Sequence, residues 1–230
     1  MTLEAVPPGS MPPLMLVGEL VALGPAHRGL IPLLWKWESD LELSLLTGDP
    51  ARPLTPEGIE AVYERFSKAG PDHTGFAIYE RATMRPIGTV GLVHINATHR
   101  TAELGIGIGE HDCWGNGYGT EATRLVLDYA FTMLGLHNVM LRVFSYNERA
   151  IRAYERAGFR EIGRRREAQR VGDRAYDVVF MDCLAADFAA LTPPRLQPPS
   201  ADPAAPASEA EDDHLPEIAA ALDAEDDLGA

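Results

Sequence analysis

Apolar and polar residues alternate with a period of two over residues 16–23, 75–80, 86–96, 101–108 and 139–144. That is the signature of strands with one face buried. Between these runs the spacing changes to steps of three and four. Leu30, Leu33, Leu34 and Trp37 mark one face of a helix from Pro25 to Glu38, provided that Pro32 lies in its first turn or at a kink. Thr55-Pro56 pairs an N-cap residue with proline at the first helical position, predicting a helix that runs to Ala69 before Gly70-Pro71. Ala122, Leu125, Val126, Tyr129, Ala130 and Met133 form a continuous stripe, closed by Gly135, and a shorter helix spans Asn147 to Ala157 before Gly158. Residues 159–168 and 174–184 are expected to pair as a hairpin about Val171-Gly172-Asp173. Residues 40–53 have no clear period and are expected to be a connecting loop that buries some of its leucines. In the strand 86–96, alternation places Ile87, Thr89, Gly91, Val93 and Ile95 on one face.

One stretch breaks both periods. Gly115-Asn116-Gly117-Tyr118-Gly119-Thr120 follows the strand ending at Ile108 and opens the helix carrying the longest apolar stripe. Three glycines in five residues let the backbone turn tightly at a helix start, where unpaired N–H groups and the helix dipole gather around one point. Such a point suits a phosphate or pyrophosphate. The spacing G-x-G-x-G lacks the Gly-Lys-Ser/Thr of a P-loop and differs from the G-x-G-x-x-G of dinucleotide folds. From spacing alone, a purely structural turn remains the alternative. Glu103, inside an otherwise apolar strand, is the other unusual position, since a carboxylate there needs water or a partner.

Composition narrows the field. The formal charge of −14 belongs mostly to the end of the chain: residues 201–230 hold ten acidic residues and no lysine or arginine, leaving 24 acidic against 20 basic residues elsewhere. A nearly balanced body argues against nucleic-acid binding. Cys113 and Cys183 fit no disulfide framework or metal-ligand spacing, so two reduced thiols and no metal are expected. No charge-free apolar run approaches the roughly 18 residues of a membrane span, and residues 1–14 lack the pattern of a signal peptide; a cytoplasmic protein is the reading. The expected organisation is a flexible leader (1–14), a folded domain (15–188) and a disordered acidic tail rich in proline and alanine (189–230). Within that tail Leu215, Ile218 and Leu222 are spaced for a short amphipathic helix.

Three segments stand in a recognisable order: Ala102-Glu103-Leu104-Gly105-Ile106-Gly107-Ile108, then Trp114-Gly115-Asn116-Gly117-Tyr118-Gly119-Thr120-Glu121-Ala122, then Asn147-Glu148-Arg149-Ala150-Ile151 through Tyr154 to Phe159. Over residues 16–186 the chain resembles the GCN5-related N-acetyltransferase (GNAT) superfamily, most of all its Rim-type ribosomal-protein and spermidine branches. Two positions depart from the pattern. Trp114 opens the glycine motif, and His94 stands where the spermidine enzymes carry an acidic residue. The resemblance implies an α/β (α+β) GNAT fold: a mixed, mostly antiparallel sheet of about seven strands with about four helices, splayed between the fourth and fifth strands.

It also implies chemistry. Acetyl-CoA would be the co-substrate, its pyrophosphate held by the amides of Trp114, Gly115, Asn116, Gly117, Tyr118, Gly119 and Thr120. Its pantetheine arm would pair with the main chain of Ile106, Gly107 and Ile108, the strands parting after Ile108. Asn147 would bond the arm as well as cap its helix. Tyr154, two helical turns further on, would protonate the departing thiolate, with an oxyanion donor among the amides near Leu104 to Ile106. Glu103 would take the proton of the attacking amine through a water, or hold the substrate ammonium, and His94 is the second candidate for the base. The implied partner is an amine acceptor: a protein N-terminus, a polyamine, or an amine-bearing antibiotic or metabolite. Edge pairing or strand exchange gives a route to a homodimer. The competing readings are a non-catalytic acyl-CoA-binding module and an interaction protein that docks through the acidic tail.

Overall fold

The computed structural model describes residues 13–48, 53–68 and 70–191. Residues 1–12 of the expected leader and the tail beyond Leu191, with the segment Leu215 to Leu222, lie outside the described residues. The chain forms strands β1 (Leu16–Val17), β2 (Val21–Gly24), β3 (Thr74–Glu80), β4 (Pro86–Asn96), β5 (Thr101–Ile108), β6 (Asn138–Phe144), β7 (Arg160–Val171) and β8 (Arg174–Leu184). Helices are α1 (Ile31–Glu38), α2 (Leu41–Thr47), α3 (Pro56–Ser67), α4 (Tyr118–Thr132), α5 (Glu148–Ala157) and α6 (Ala185–Leu191). The eight strands make one sheet in the order β1-β2-β3-β4-β5-β6-β8-β7.

Five expectations need correcting, the last of them at the seam between β5 and β6. The single strand over 16–23 is a hairpin, with Leu16 opposite Leu23 and Val17 opposite Ala22, and this supplies the eighth strand. The expected loop 40–53 contains α2, because Asp40 accepts the amides of Glu42 and Leu43 as N-cap (2.9 and 3.0 Å) and Gly48 closes the helix at φ 90°. A sixth helix, α6, brings Phe188 into the core against Phe131, with ring centroids 5.5 Å apart. The expected single face of β4 is broken twice. Tyr79 pairs with Pro86 and Ile78 with Gly88, so Ile87 is an extra, bulged residue. A second shift lies between Val93 and Asn96. Ile87 therefore joins Val90 and Leu92 in the core, while Val93 on the other face is 40% exposed.

The sheet separates two cores. On one face α4 packs Ala122, Leu125, Val126 and Ala130 against Val21, Leu23, Phe76, Ile78 and Leu141. On the other, Leu34 and Trp37 of α1 and Ile59 and Tyr63 of α3 pack against Ala77 and Tyr79. Alternation along β3 feeds both faces, as period two requires.

The seam between β5 and β6 is what positions the site. They are the one parallel pair among the described strands, and only three residues of each are paired: Thr101 with Asn138, Ala102 with Val139, Glu103 with Met140. Beyond them β5 continues beside β4 as far as Ile108, whereas β6 turns to β8. The strands thus part at Glu103 and Met140, earlier than Ile108 where the separation was expected. On the side away from β4, residues 104–108 keep an edge with no strand beside it among the described residues.

Candidate active site

The glycine turn is built by local chemistry. After β5 a short 3-10 turn (His111–Cys113) leads to Trp114, whose indole N–H donates to the carbonyl of Ile108 at 2.7 Å and pins the loop to the end of the strand. Gly115 and Gly117 then take φ 81° and 88°, values that a side chain would strain. α4 begins at Tyr118 with no side-chain cap, and its first internal bond runs from the amide of Glu121 to the carbonyl of Gly117 (3.0 Å). The amides of residues 115 to 120 have no acceptor among the described residues. Six consecutive N–H groups without an acceptor, at the positive end of a fifteen-residue helix, have the chemistry to receive a multiply charged anion.

The acidic residue in that first turn does not compete for those amides. Glu121 turns outward and accepts the amides of Glu19, Leu20 and Val21 at 2.8, 2.6 and 2.8 Å, so the β1–β2 hairpin is fastened to the loop. Tyr118 is tied to β3 through Glu80 (2.6 Å). Arg149 lies over the Trp114 ring, 4.0 Å from its centroid, and His111 stacks on the same indole at 4.1 Å. Burial lowers the pKa of the Arg149 guanidinium. On the far side, Lys36 and Trp37 donate to Glu110, and His111 bonds Asp40 at 2.8 Å, which ties α1 and α2 to the same segment.

From this loop a cleft of about 900 Å³ extends along the gap between β5 and β6, lined by residues from both faces of the sheet. On the α4–α5 side it is lined by Tyr118 to Thr120, Asn147, Arg149 and Tyr154; on the α1–α3 side by Trp37, Leu43, Phe66, Arg142 and Phe180. Its floor is almost bare. Gly75, Gly91 and Gly105 stand opposite one another on three adjacent strands, and a Cβ at Gly105 would meet nothing within 4 Å.

The expected site residues fall as follows. Residues 115–120 form the loop, whereas the Trp114 amide, expected among the donors, already donates to the His111 carbonyl at 3.1 Å. Ile106, Gly107 and Ile108 line the cleft beside it, although the Ile108 carbonyl is already engaged by Trp114. Asn147 is buried and caps α5, accepting the Ala150 amide at 3.2 Å. Tyr154, further along α5, lines the same cleft and packs edge-on against Phe159. Its hydroxyl has no partner among the described residues, and burial pushes its pKa up to about 12. Glu103 and His94, proposed as alternatives, come together: His94 Nδ1 lies 3.5 Å from one Glu103 oxygen, and Arg142 Nε donates to the other at 2.6 Å. His94 reaches the carboxylate because the β4 bulge gives it φ 52°, a left-handed conformation costing about 1–2 kcal/mol for such a residue.

Arg142, Arg149 and His111 escaped the sequence reading. Arg149 lay within a quoted motif, but neither Arg142 nor His111 carries a local signal, because their partners lie 39 and 71 residues away. Among the described residues no cluster could hold a metal ion, and no helix is long and apolar enough to cross a membrane.

Residues 22–160 match the family model of the acetyltransferase (GNAT) domain, the segment that contains the splayed strands, the glycine turn and Tyr154. The chain belongs to the GNAT acetyltransferase family. Among relatives of this GNAT chain, the spermidine N(1)-acetyltransferase of Vibrio cholerae is 38% identical over 112 residues, 48% of this chain and 64% of that relative, so slightly less than two thirds of its length is spanned. A human alpha/beta-tubulin-N-acetyltransferase 9 is 28% identical over 159 residues, 64% of this chain and 76% of that one. The crystal structure of the Vibrio cholerae spermidine N-acetyltransferase in complex with CoA and spermine superposes with a TM-score of 0.66 at 26% identity, covering 74% of this GNAT chain and 98% of the other.

Proposed function

We propose that this protein transfers an acetyl group from acetyl-CoA to a primary amine within a ternary complex. The observation that carries the reading is the run of six orphan amides at one mouth of a cleft that Tyr154 lines and Glu103 borders. The amides fit a CoA diphosphate, Arg149 adds positive charge beside them, and the unpaired edge of residues 104–108 fits an extended pantetheine arm. Bound acetyl-CoA supplies an activated thioester.

The chain's own groups account for the protons. The neutral amine nitrogen attacks the thioester carbonyl carbon, the C–S bond breaks, and the thiolate takes the Tyr154 phenolic proton. A phenol with its pKa raised to about 12 is fully protonated at neutral pH, as an acid must be. The proton lost by the amine passes, through water, to the Glu103–His94 pair. Glu103 is 17% and His94 78% exposed, so the pair leads from the cleft to solvent. Amides near Leu104 to Ile106 are the candidate oxyanion donors.

A reducing, cytoplasmic setting suits the two buried thiols, Cys113 and Cys183, whose pKa values burial raises. β7, at the end of the sheet, offers a free edge for pairing with a second copy. The test is thiol release from acetyl-CoA with a panel of amines. The wild type is expected to turn over, and Tyr154→Phe to lose about a hundredfold or more in kcat with little change in acetyl-CoA affinity. Equal kcat values for the two proteins would remove Tyr154 from the acid role; no turnover with any amine would end the assignment.

A further inference from the structure

The sheet sorts the charges of the cleft. On the α4–α5 side Arg149 and Arg156 stand near the glycine turn. The opposite side, by which an acceptor would enter, is lined by Arg65, His73, Arg142 and Arg165, with Glu38 and Glu103 as its carboxylates. Neither carboxylate is a free site for a cation. Glu103 is held by Arg142 and His94, and Glu38 has an interaction of its own.

The cations are differently placed. Arg142 spends only Nε on Glu103, and its two terminal nitrogens have no partner among the described residues. Arg65 and Arg165 have no ion pair there either. His73 donates from Nδ1 toward Asp72 (2.9 Å), which raises its pKa. Arg142 pairs across β6–β8 with Phe180, and Arg165 across β7–β8 with Val178, two residues along the same strand. Directly paired residues share a face, so both arginines project from the surface that walls the cleft.

We infer that the acceptor is an amine carrying a carboxylate or similar anion close to its nucleophilic nitrogen, held by Arg142, Arg165 and Arg65, and that polycationic amines are poor acceptors. This rests on the acetyl-transfer reading. A polyamine would bring two or three further positive charges against this wall, whereas a carboxylate would complete forks that now lack one. The Vibrio cholerae relative is named for spermidine, so the inference separates this chain from it.

The experiment measures kcat/KM for thiol release by the full chain at low and high salt. Acceptors are Ser-Glu-Glu amide, Ser-Lys-Lys amide, L-glutamate and spermidine, with wild type, Arg165→Glu and Arg65→Glu. Preference for an anionic acceptor over Ser-Lys-Lys amide and spermidine by about tenfold or more supports the inference. So does a fall of that preference in high salt and in either variant. Both substitutions lie on exposed side chains away from Glu103, and unchanged melting curves would confirm folding. Which anionic acceptor is used distinguishes a small acceptor from a chain terminus. Spermidine or Ser-Lys-Lys amide used as well as the anionic acceptors, or a preference indifferent to salt and to both charge reversals, overturns this inference alone. No turnover with any acceptor overturns the acetyl-transfer reading beneath it as well.

Discussion

In the proposed reaction Glu103 and His94 would share one task. Glu103 sits at the last paired rung of the seam, where the cleft begins, and is nearly enclosed. His94 faces solvent, brought to the carboxylate by a backbone conformation that few histidines adopt. A general base must be unprotonated, so its titration is the rise of kcat with pH, and the variant that loses this rise has lost the base. Glu103→Gln is expected to lower kcat by about a hundredfold and to flatten that limb. His94→Ala is expected to keep the limb at a reduced height. A profile of unchanged shape and height in Glu103→Gln would exclude the carboxylate. Arg142 matters in both cases, because its N–H fixes which oxygen of Glu103 is left to receive a proton.

Among the elements, the hairpin β1–β2 and the start of α4 act as a unit, although about a hundred residues separate them. Three backbone amides converge on the Glu121 carboxylate, and Gly18 approaches so closely that a Cβ there would lie 2.5 Å from it. Glu121→Ala is expected to cost about 2 kcal/mol in urea unfolding, the scale of charge-assisted bonds left unmade. It is also expected to raise KM for acetyl-CoA several-fold while kcat holds; an unchanged KM would show that the turn keeps its shape without the clamp. Little of this was legible in the chain. Gly115 and Gly117 could be read because only glycine tolerates the turn, and Thr55-Pro56 because both residues act locally, the Thr55 hydroxyl accepting the Gly58 amide at 3.2 Å. The break at Gly18-Glu19-Leu20 was hidden because it interrupts an apolar run without an Asn-Gly or Asp-Gly signal. α2 escaped because Leu41, Leu43 and Leu45 alternate with a period of two, which in so short a segment masks the helix that the Asp40 cap starts and Gly48 closes. The β4 bulges reversed the predicted face because one extra residue changes the parity of all that follow. The Glu103–Arg142 pair depends on which strands lie side by side, and one sequence does not state that.

For the whole molecule, the seam is the weak point of the fold. A sheet joined at its waist by three paired residues is held otherwise by side chains beneath it, among them Leu104, Val139 and Leu141. A ligand that extends along residues 104–108 would bridge the parting strands. CoA at about a hundred times its dissociation constant is expected to raise the melting temperature by about 5–10 °C. Amide hydrogen exchange should slow most over residues 104–108 and 115–120. A shift in melting without protection at these amides would place CoA elsewhere.

Because residues from both faces of the sheet line the cleft, a ligand could approach it from either side. In the proposed reaction the thiol product would leave on the side of Asn147 and the acylated amine on the opposite face, so that neither need obstruct the other. A protein arranged in this way need impose no fixed order on departure. Its turnover would be paced by whichever product is gripped more firmly, and on the proposed thiol side most of that grip would come from main-chain N–H groups, which substitution of side chains cannot remove.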